Sequence, residues 1–310
     1  MRSVSGFGAV LSLLAVSPAP ATPLFSENFE IDPTANWTVN NGPGTQAANF
    51  FFDYSTVGIP PAPNGAGTRG MKLQANLTGG VFSGFSVSPM GQNFTGDYTL
   101  NFDWWANFNG PFPGGGSGST NLSTFGIGTS GTIAQWPGGT QDSVWFAATG
   151  DGGSASDYRA YSTAAPTSYP SGSPVYAAPG GGINNTNAYY AVFGGVMAPA
   201  AQLALFPQQT GTTAVGSAGM AWHQVVIDKS GNSATWRVDG LLIATIDLNT
   251  VTLGGGDIFF GHSDINATSS TDPNAPSLLF TLIDNITVVP EPGTLGLLAL
   301  GGLLIVRRRR

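Results

Sequence analysis

The chain contains no cysteine in its 310 residues. That excludes a disulfide framework, a thiolate nucleophile and any zinc site built on sulfur. Basic residues are scarce too, with ten Lys and Arg against seventeen Asp and Glu. Five of the ten, Arg2 and Arg307 to Arg310, stand at the two ends. Residues 22–289 keep only Arg69, Lys72, Arg159, Lys229 and Arg237 against sixteen acids, a net charge of −11. Phosphate backbones are held by clustered Lys and Arg, so nucleic acid is excluded as a partner. Glutamate occurs three times, at Glu27, Glu30 and Glu291, and histidine twice, at His223 and His262. Neither histidine belongs to an H-E-x-x-H motif or has a G-x-S-x-G companion. Between residues 22 and 289 no segment sustains an apolar 3.6-residue period with caps, so long amphipathic helices are missing as well.

What fills the space is 45 glycines, 22 prolines and a rich aromatic set of 7 Trp, 19 Phe and 8 Tyr. Turn residues with aromatic and β-branched runs between them describe an all-β protein. Short runs of this kind fall at 24–29, 71–75, 81–87, 98–105, 122–127, 143–147 and 188–193. A meander follows, with strands expected at 222–228, 233–238, 241–248, 257–261 and 278–288. Its turns are Ser230-Gly231-Asn232 and Asp239-Gly240; Asp-Gly suits a type I′ hairpin, in which both central residues take positive φ. Residues 110–120 and 164–188, rich in Gly, Pro, Ser and Asn, read as loops within one domain.

The ends carry addresses. Arg2, the apolar run Phe7 to Val16 and Ala19-Pro20-Ala21 have the order of a secretory signal peptide, with cleavage after Ala21. At the other end Pro290-Glu291-Pro292 precedes an apolar run, Gly293 to Val306, and then Arg307, Arg308, Arg309 and Arg310. Positive charge after an apolar segment keeps that end in the cytoplasm. Fourteen residues span roughly 21 Å as a helix, short of a ~30 Å hydrocarbon core, which suits a transient span better than a permanent anchor. The tail resembles the PEP-CTERM sorting signal of exopolysaccharide-producing Gram-negative bacteria. The resemblance implies an exosortase-type enzyme that cuts near Pro-Glu-Pro, transient residence in the inner membrane, and a destination at the cell surface or outside the cell. The expected organisation is a signal peptide at 1–21, a β-sandwich domain at 22–288 and the sorting signal at 289–310.

The segment WHQVVIDKSGNSATWRVDGLLIATIDL, from Trp222, resembles the laminin-G and concanavalin A-like jelly roll. FTLIDNITV, from Phe280, resembles the last strand of that fold and of jelly-roll carbohydrate-binding modules. Together they imply a two-sheet antiparallel β-sandwich of about a dozen strands. Glucanases of this fold resemble one another in an E-x-D-x-E strand whose carboxylates lie about 5 Å apart. No such strand exists here, so the expectation is a non-enzymatic protein. The alternative is a polysaccharide hydrolase or lyase that uses aspartates.

Two positions stand out by their strand faces. In Tyr98 to Trp105 the set Tyr98, Leu100, Phe102 and Trp104 should face the core, leaving Thr99, Asn101, Asp103 and Trp105 on the other side. An exposed Trp105 beside Asp103 and Asn101 would form a platform for a sugar ring; the competing reading packs Trp105 beneath the loop at 110–120. His223 shares a face with Val225 and Ile227 and reads as a hydrogen-bonded core histidine, and Trp236 reads as structural. On the last strand Asp284 shares a face with Leu282, Ile286 and Val288, where a carboxylate has to be paired, protonated or bound to a metal. The jelly-roll resemblance implies structural calcium held by Glu30 and Asp284, hard oxygen ligands suited to that ion. The competing reading has Asp284 capping a neighbouring loop. Asp264, Asn266, Asp272 and Asn274 offer a second, weaker calcium loop, against the commoner reading of that stretch as a solvated turn. The functional expectation is a glycan-binding or structural protein working with extracellular polysaccharide.

Overall fold

The computed structural model describes residues 21–77, 82–113, 121–164, 167–264 and 274–291. Their short apolar runs, broken by Gly and Pro, form fourteen strands among the described residues. Every pairing in the two ladders is antiparallel.

The larger sheet begins at one edge with the meander: β10 (Trp222–Ser230), β11 (Ser233–Val238) and β12 (Leu241–Asp247). Asp239 and Gly240 both hold positive φ (48° and 79°), the geometry of the type I′ turn expected from Asp-Gly. β10 pairs with the ten-residue β6 (Tyr98–Asn107), which pairs in turn with the last strand, β14 (Phe280–Pro290). Beyond β14 lie β4 (Arg69–Ala75) and β3 (Gln46–Asp53), while the short β1 (Phe25–Glu27) also pairs with β14. The smaller sheet runs in the order β2 (Trp37–Asn41), β5 (Ser83–Pro89), β13 (Asp257–Asp264), β7 (Asn121–Thr129), β8 (Val144–Thr149) and β9 (Tyr158–Tyr161). Two helices, α1 (Ala200–Leu205) and α2 (Ala275–Leu278), are single short turns.

Between the sheets lies one core. Leu100, Phe102 and Trp104 of β6 meet Phe125 of β7, Phe146 of β8 and Phe260 of β13, with Trp236 stacked on Phe146 at 5.2 Å. This is the two-layer antiparallel sandwich that the jelly-roll resemblance implies, and the alternation of β6 places its even-numbered residues inside as expected.

Three details depart from the sequence reading. Residues 188–190 form a 3₁₀ turn rather than a strand, because the Asn187 side chain accepts from the Tyr189 N–H and nucleates a turn there. The strands β2, β3 and β9 form in stretches where the sequence showed no strand, β2 and β3 carrying Asn within their runs and β9 being only four residues long. Lastly, β14 is not one uninterrupted face. A bulge between Asp284 and Thr287, with Asn285 at φ 50°, shifts the register by one. Phe280 and Leu282 consequently join a cluster outside the larger sheet, whereas Ile286 and Val288 enter the core between the sheets. The expected common face of Leu282, Asp284, Ile286 and Val288 does not exist.

Candidate functional site

The outer face of the larger sheet is where the outward residues of β6 collect, and its two ends differ in chemistry. At one end Trp105 is 1 % exposed. Tyr54, Ile59, Met220, Phe280 and Leu282 pack around it, and Trp222 meets it edge to face at 5.7 Å. Its indole N–H donates to Asn107 Oδ1 at 3.0 Å. The exposed sugar platform expected at Trp105 is therefore not formed. Alternation chose the correct face, but the segments around Tyr54–Ile59 and Ala198–Met220 cover it.

Asp103 and Asp284 lie opposite each other on β6 and β14, both buried. Asp103 accepts three bonds: from the Asn64 N–H at 3.1 Å, the Asn64 side-chain amide at 2.6 Å and the Asn285 amide at 2.8 Å. Asp284 accepts from the Asn285 N–H at 2.7 Å and from the Tyr54 hydroxyl at 3.0 Å, which itself receives the Ala62 N–H. These carboxylates tie the loop between β3 and β4 down onto the sheet. Gly65 makes the close approach possible, since a Cβ there would lie 1.9 Å from Asn285 Oδ1. Burial raises the Asp284 pKa to about 7, with the like charges of Asp103 and Glu30 adding to the rise against its two hydrogen bonds.

Glu30 is thus near enough for its charge to bear on Asp284, while its own Oε1 accepts the Arg69 N–H at 3.2 Å. Among the described residues no three acidic or imidazole groups are arranged to hold an ion. The Asp284 oxygens each accept one bond, from Tyr54 and from Asn285. The tying role of Asp284, the loop-capping alternative to calcium, accounts for its burial. Residues 265–273 of the second calcium candidate lie outside the described residues. So do Ala19, Pro292 and Arg307 to Arg310, whereas Ala21 is exposed.

Past Asp103 the same face opens into a cleft of about 540 Å³. Asn101 of β6 and Gln224 of β10 help to line it, with Asn285 and Thr287 of β14 beside them. Ser26, Glu27 and Asn28 form one wall and Asn64 and Gly65 another. Among the described residues the side-chain amides of Asn101 and Gln224 make no hydrogen bond, so each offers a donor and an acceptor to a ligand. Among the described residues Glu27 is the one ionisable residue lining the cleft, and its Oε1 already takes the Phe29 N–H at 2.8 Å. Asn64, Gln224 and Asn285 were not singled out in the sequence. The only local signal was Ile-Asp-Asn-Ile at 283–286, an Asx pair able to hold a left-handed residue at a bulge.

Both histidines are internal. Nδ1 of His223 lies 2.7 Å from Asp239 Oδ2, fixing the hairpin turn, and its ring packs against Trp104. His262 is enclosed by Thr281 Oγ1 at 2.9 Å and Asn121 Oδ1 at 2.8 Å. Burial in that enclosure lowers its pKa to about 3.

With this geometry in place, comparison with known proteins adds two findings. Residues 288–310 match the PEP-CTERM protein-sorting motif, so the chain carries that motif. It marks an exported protein, held in the membrane by its C-terminus in transit and then located at the surface or secreted, and it implies processing by an exosortase-type enzyme. No curated protein matches the chain in sequence. Among solved structures, an endo-1,3-beta-glucanase from Streptomyces sioyaensis is 13% identical with a TM-score of 0.45, covering 89% of this chain and 100% of that one. The Bacillus licheniformis beta-glucanase is 11% identical at a TM-score of 0.42, covering 86% and 98%. The carbohydrate binding module CBM66 from Bacillus subtilis is 8% identical at 0.38, covering 82% and 95%. The chemistry of this chain has to come from its own residues.

Proposed function

We propose that the exported body is a non-enzymatic glycan-binding protein of the extracellular polysaccharide matrix, and that the cleft beside Asn101 takes a neutral, hydroxyl-rich chain. The observation that carries this reading is the pair of unengaged amides, Asn101 and Gln224, lining a cleft ringed by further Asn, Ser and Thr side chains. Amides present a donor and an acceptor side by side, which matches vicinal sugar hydroxyls. Among the described residues no Lys or Arg lines the cleft to compensate an anionic polymer. In this reading Asn101 meets the ligand without a Trp105 platform, and Asp103 serves from below by holding the Asn64 and Asn285 amides in place.

The runner-up is an aspartate-dependent hydrolase or lyase. What favours it is the Asp103–Asp284 pair, in which one carboxyl has a pKa raised to about 7, the pattern of an acid paired with a base. Against it, Asn64, Asn285 and Tyr54 occupy the oxygens that would have to reach a substrate. The test uses residues 22–289 with a panel of neutral and anionic polysaccharides in affinity electrophoresis, alongside an assay of released reducing ends. The binding reading expects retardation by a neutral polymer, at least tenfold weakened in Asn101→Leu, with no release. Release that disappears in Asp103→Asn would establish the hydrolase instead.

A further inference from the structure

We propose that the folded body withholds the Pro-Glu pair of its own sorting motif, so that processing waits on local opening of the last strand. β14 does not stop short of the motif. Val289 pairs with Thr99 and Pro290 with Tyr98, and the Glu291 N–H donates to the Asp97 carbonyl at 3.1 Å. The Glu291 side chain then folds back along the outer face, where its Oε1 meets the Thr99 hydroxyl. Two of the three residues that name the motif are thereby part of the sandwich. An enzyme that cuts near Pro-Glu-Pro needs that backbone free of its strand partner.

The clasp is also built to be weak. The Thr99 hydroxyl lies 2.8 Å from Asp228 Oδ1 as well as against Glu291, and it has a single proton to give to two carboxyl groups. Asp97 stands at the same end, its Oδ1 taking the Gly231 N–H at 2.9 Å. The one cation among these neighbours in the described residues, Lys229, is directed elsewhere: its Nζ bonds the Gly96 carbonyl and lies over the Tyr98 ring. Glu291 is thus held by one backbone bond and one contested side-chain bond. Cleavage of a transiently opened segment follows the population of the open form when reclosing is fast.

Thr99 and Asp228 should therefore set the processing rate with opposite signs. Thr99→Val removes the clasp and speeds processing, on the order of fivefold, the worth of one ordinary hydrogen bond. Asp228→Ala removes the competing acceptor, leaves the hydroxyl proton to Glu291, and slows processing below the wild-type rate. The experiment is a pulse-chase of the full chain in membranes containing an exosortase-type enzyme, scored by loss of the tail. The wild-type chain in the same assay reports whether the motif is processed at all, separately from what governs the rate. Opposite shifts support the proposal. Equal rates in all three chains overturn it, as do shifts in the same direction, which a general change in stability would produce. Amide exchange at Glu291 on the full chain in detergent covers the case where Thr99→Val folds poorly. Protection that drops in a variant folded elsewhere supports the clasp, and an unprotected wild-type amide overturns it.

Discussion

Trp105 and Asn101 stand four residues apart on the same face of β6, yet the first is sealed and the second lines an open cleft. Strand alternation treats them alike. What separates them is what lies above: segments from Tyr54–Ile59 and Ala198–Met220 close over the tryptophan, and among the described residues no segment closes over the asparagine. Asp103 sits at the boundary, where its bonds to Asn64 and Asn285 anchor the edge of the cover. One face of one strand therefore packs as a second core at one end and lines an open cleft at the other.

The largest effect is expected at the sealed end. Trp105→Ala should destabilise the body by about 3–5 kcal/mol, the usual cost of removing a buried aromatic, measured by urea denaturation. A cost below about 1 kcal/mol would mean the cover is loose and Trp105 accessible after all. At the boundary, Gly65→Ala places a methyl against an Asn285 side chain that cannot yield without releasing Asp103. The expected cost is about 1–3 kcal/mol, and cleft binding should weaken with it.

A subtler test of the boundary is pH. Asp284 has an ordinary pKa of 3.8 and is raised to about 7 by burial, so between those values the folded state binds the extra proton. Its contribution is fully present below pH 3.8 and is lost as pH rises through about 7. Asp284→Asn should remove one such loss, amounting to at most about 1.4 kcal/mol per pH unit. Asp257, also raised to about 7 by burial, keeps a similar slope in both proteins. His262, lowered to about 3 from 6.5, adds an opposite slope over that interval, again in both. The stability of wild type relative to Asp284→Asn, followed by thermal melts, should fall from pH 4 to 7 and then level. A flat difference would place the Asp284 carboxylate in contact with water. The smallest effect on stability belongs to the open end: Asn101→Leu should change it by less than about 0.5 kcal/mol while weakening glycan binding.

Much of the fold was legible because it depends on local chemistry. Asp239-Gly240 marked its hairpin through the positive φ that both positions take, and β6 showed its inner face through Tyr98, Leu100, Phe102 and Trp104. The candidate site was legible only in part. Asn101 and Asp103 were placed on the right face, but the exposure of Trp105 depended on segments about fifty residues earlier and a hundred later. The face of Asp284 was not legible for another reason. A single bulge at Asn285 reverses every side chain after it, and period-two counting cannot register one extra residue. Gln224 and Asn64 carried no local pattern at all.

The sequence by itself determined the address, through Pro290-Glu291-Pro292 with its apolar run and arginines, and the all-β class, through turn residues spaced between apolar runs. Those properties are written in consecutive residues and need no partner from afar. Which outward residue meets water, which carboxylate ties a loop down, and whether Glu291 is free or clasped were decided by tertiary structure alone. Each depends on groups brought together from separate strands, and burial is a property of the assembled neighbourhood rather than of the residue.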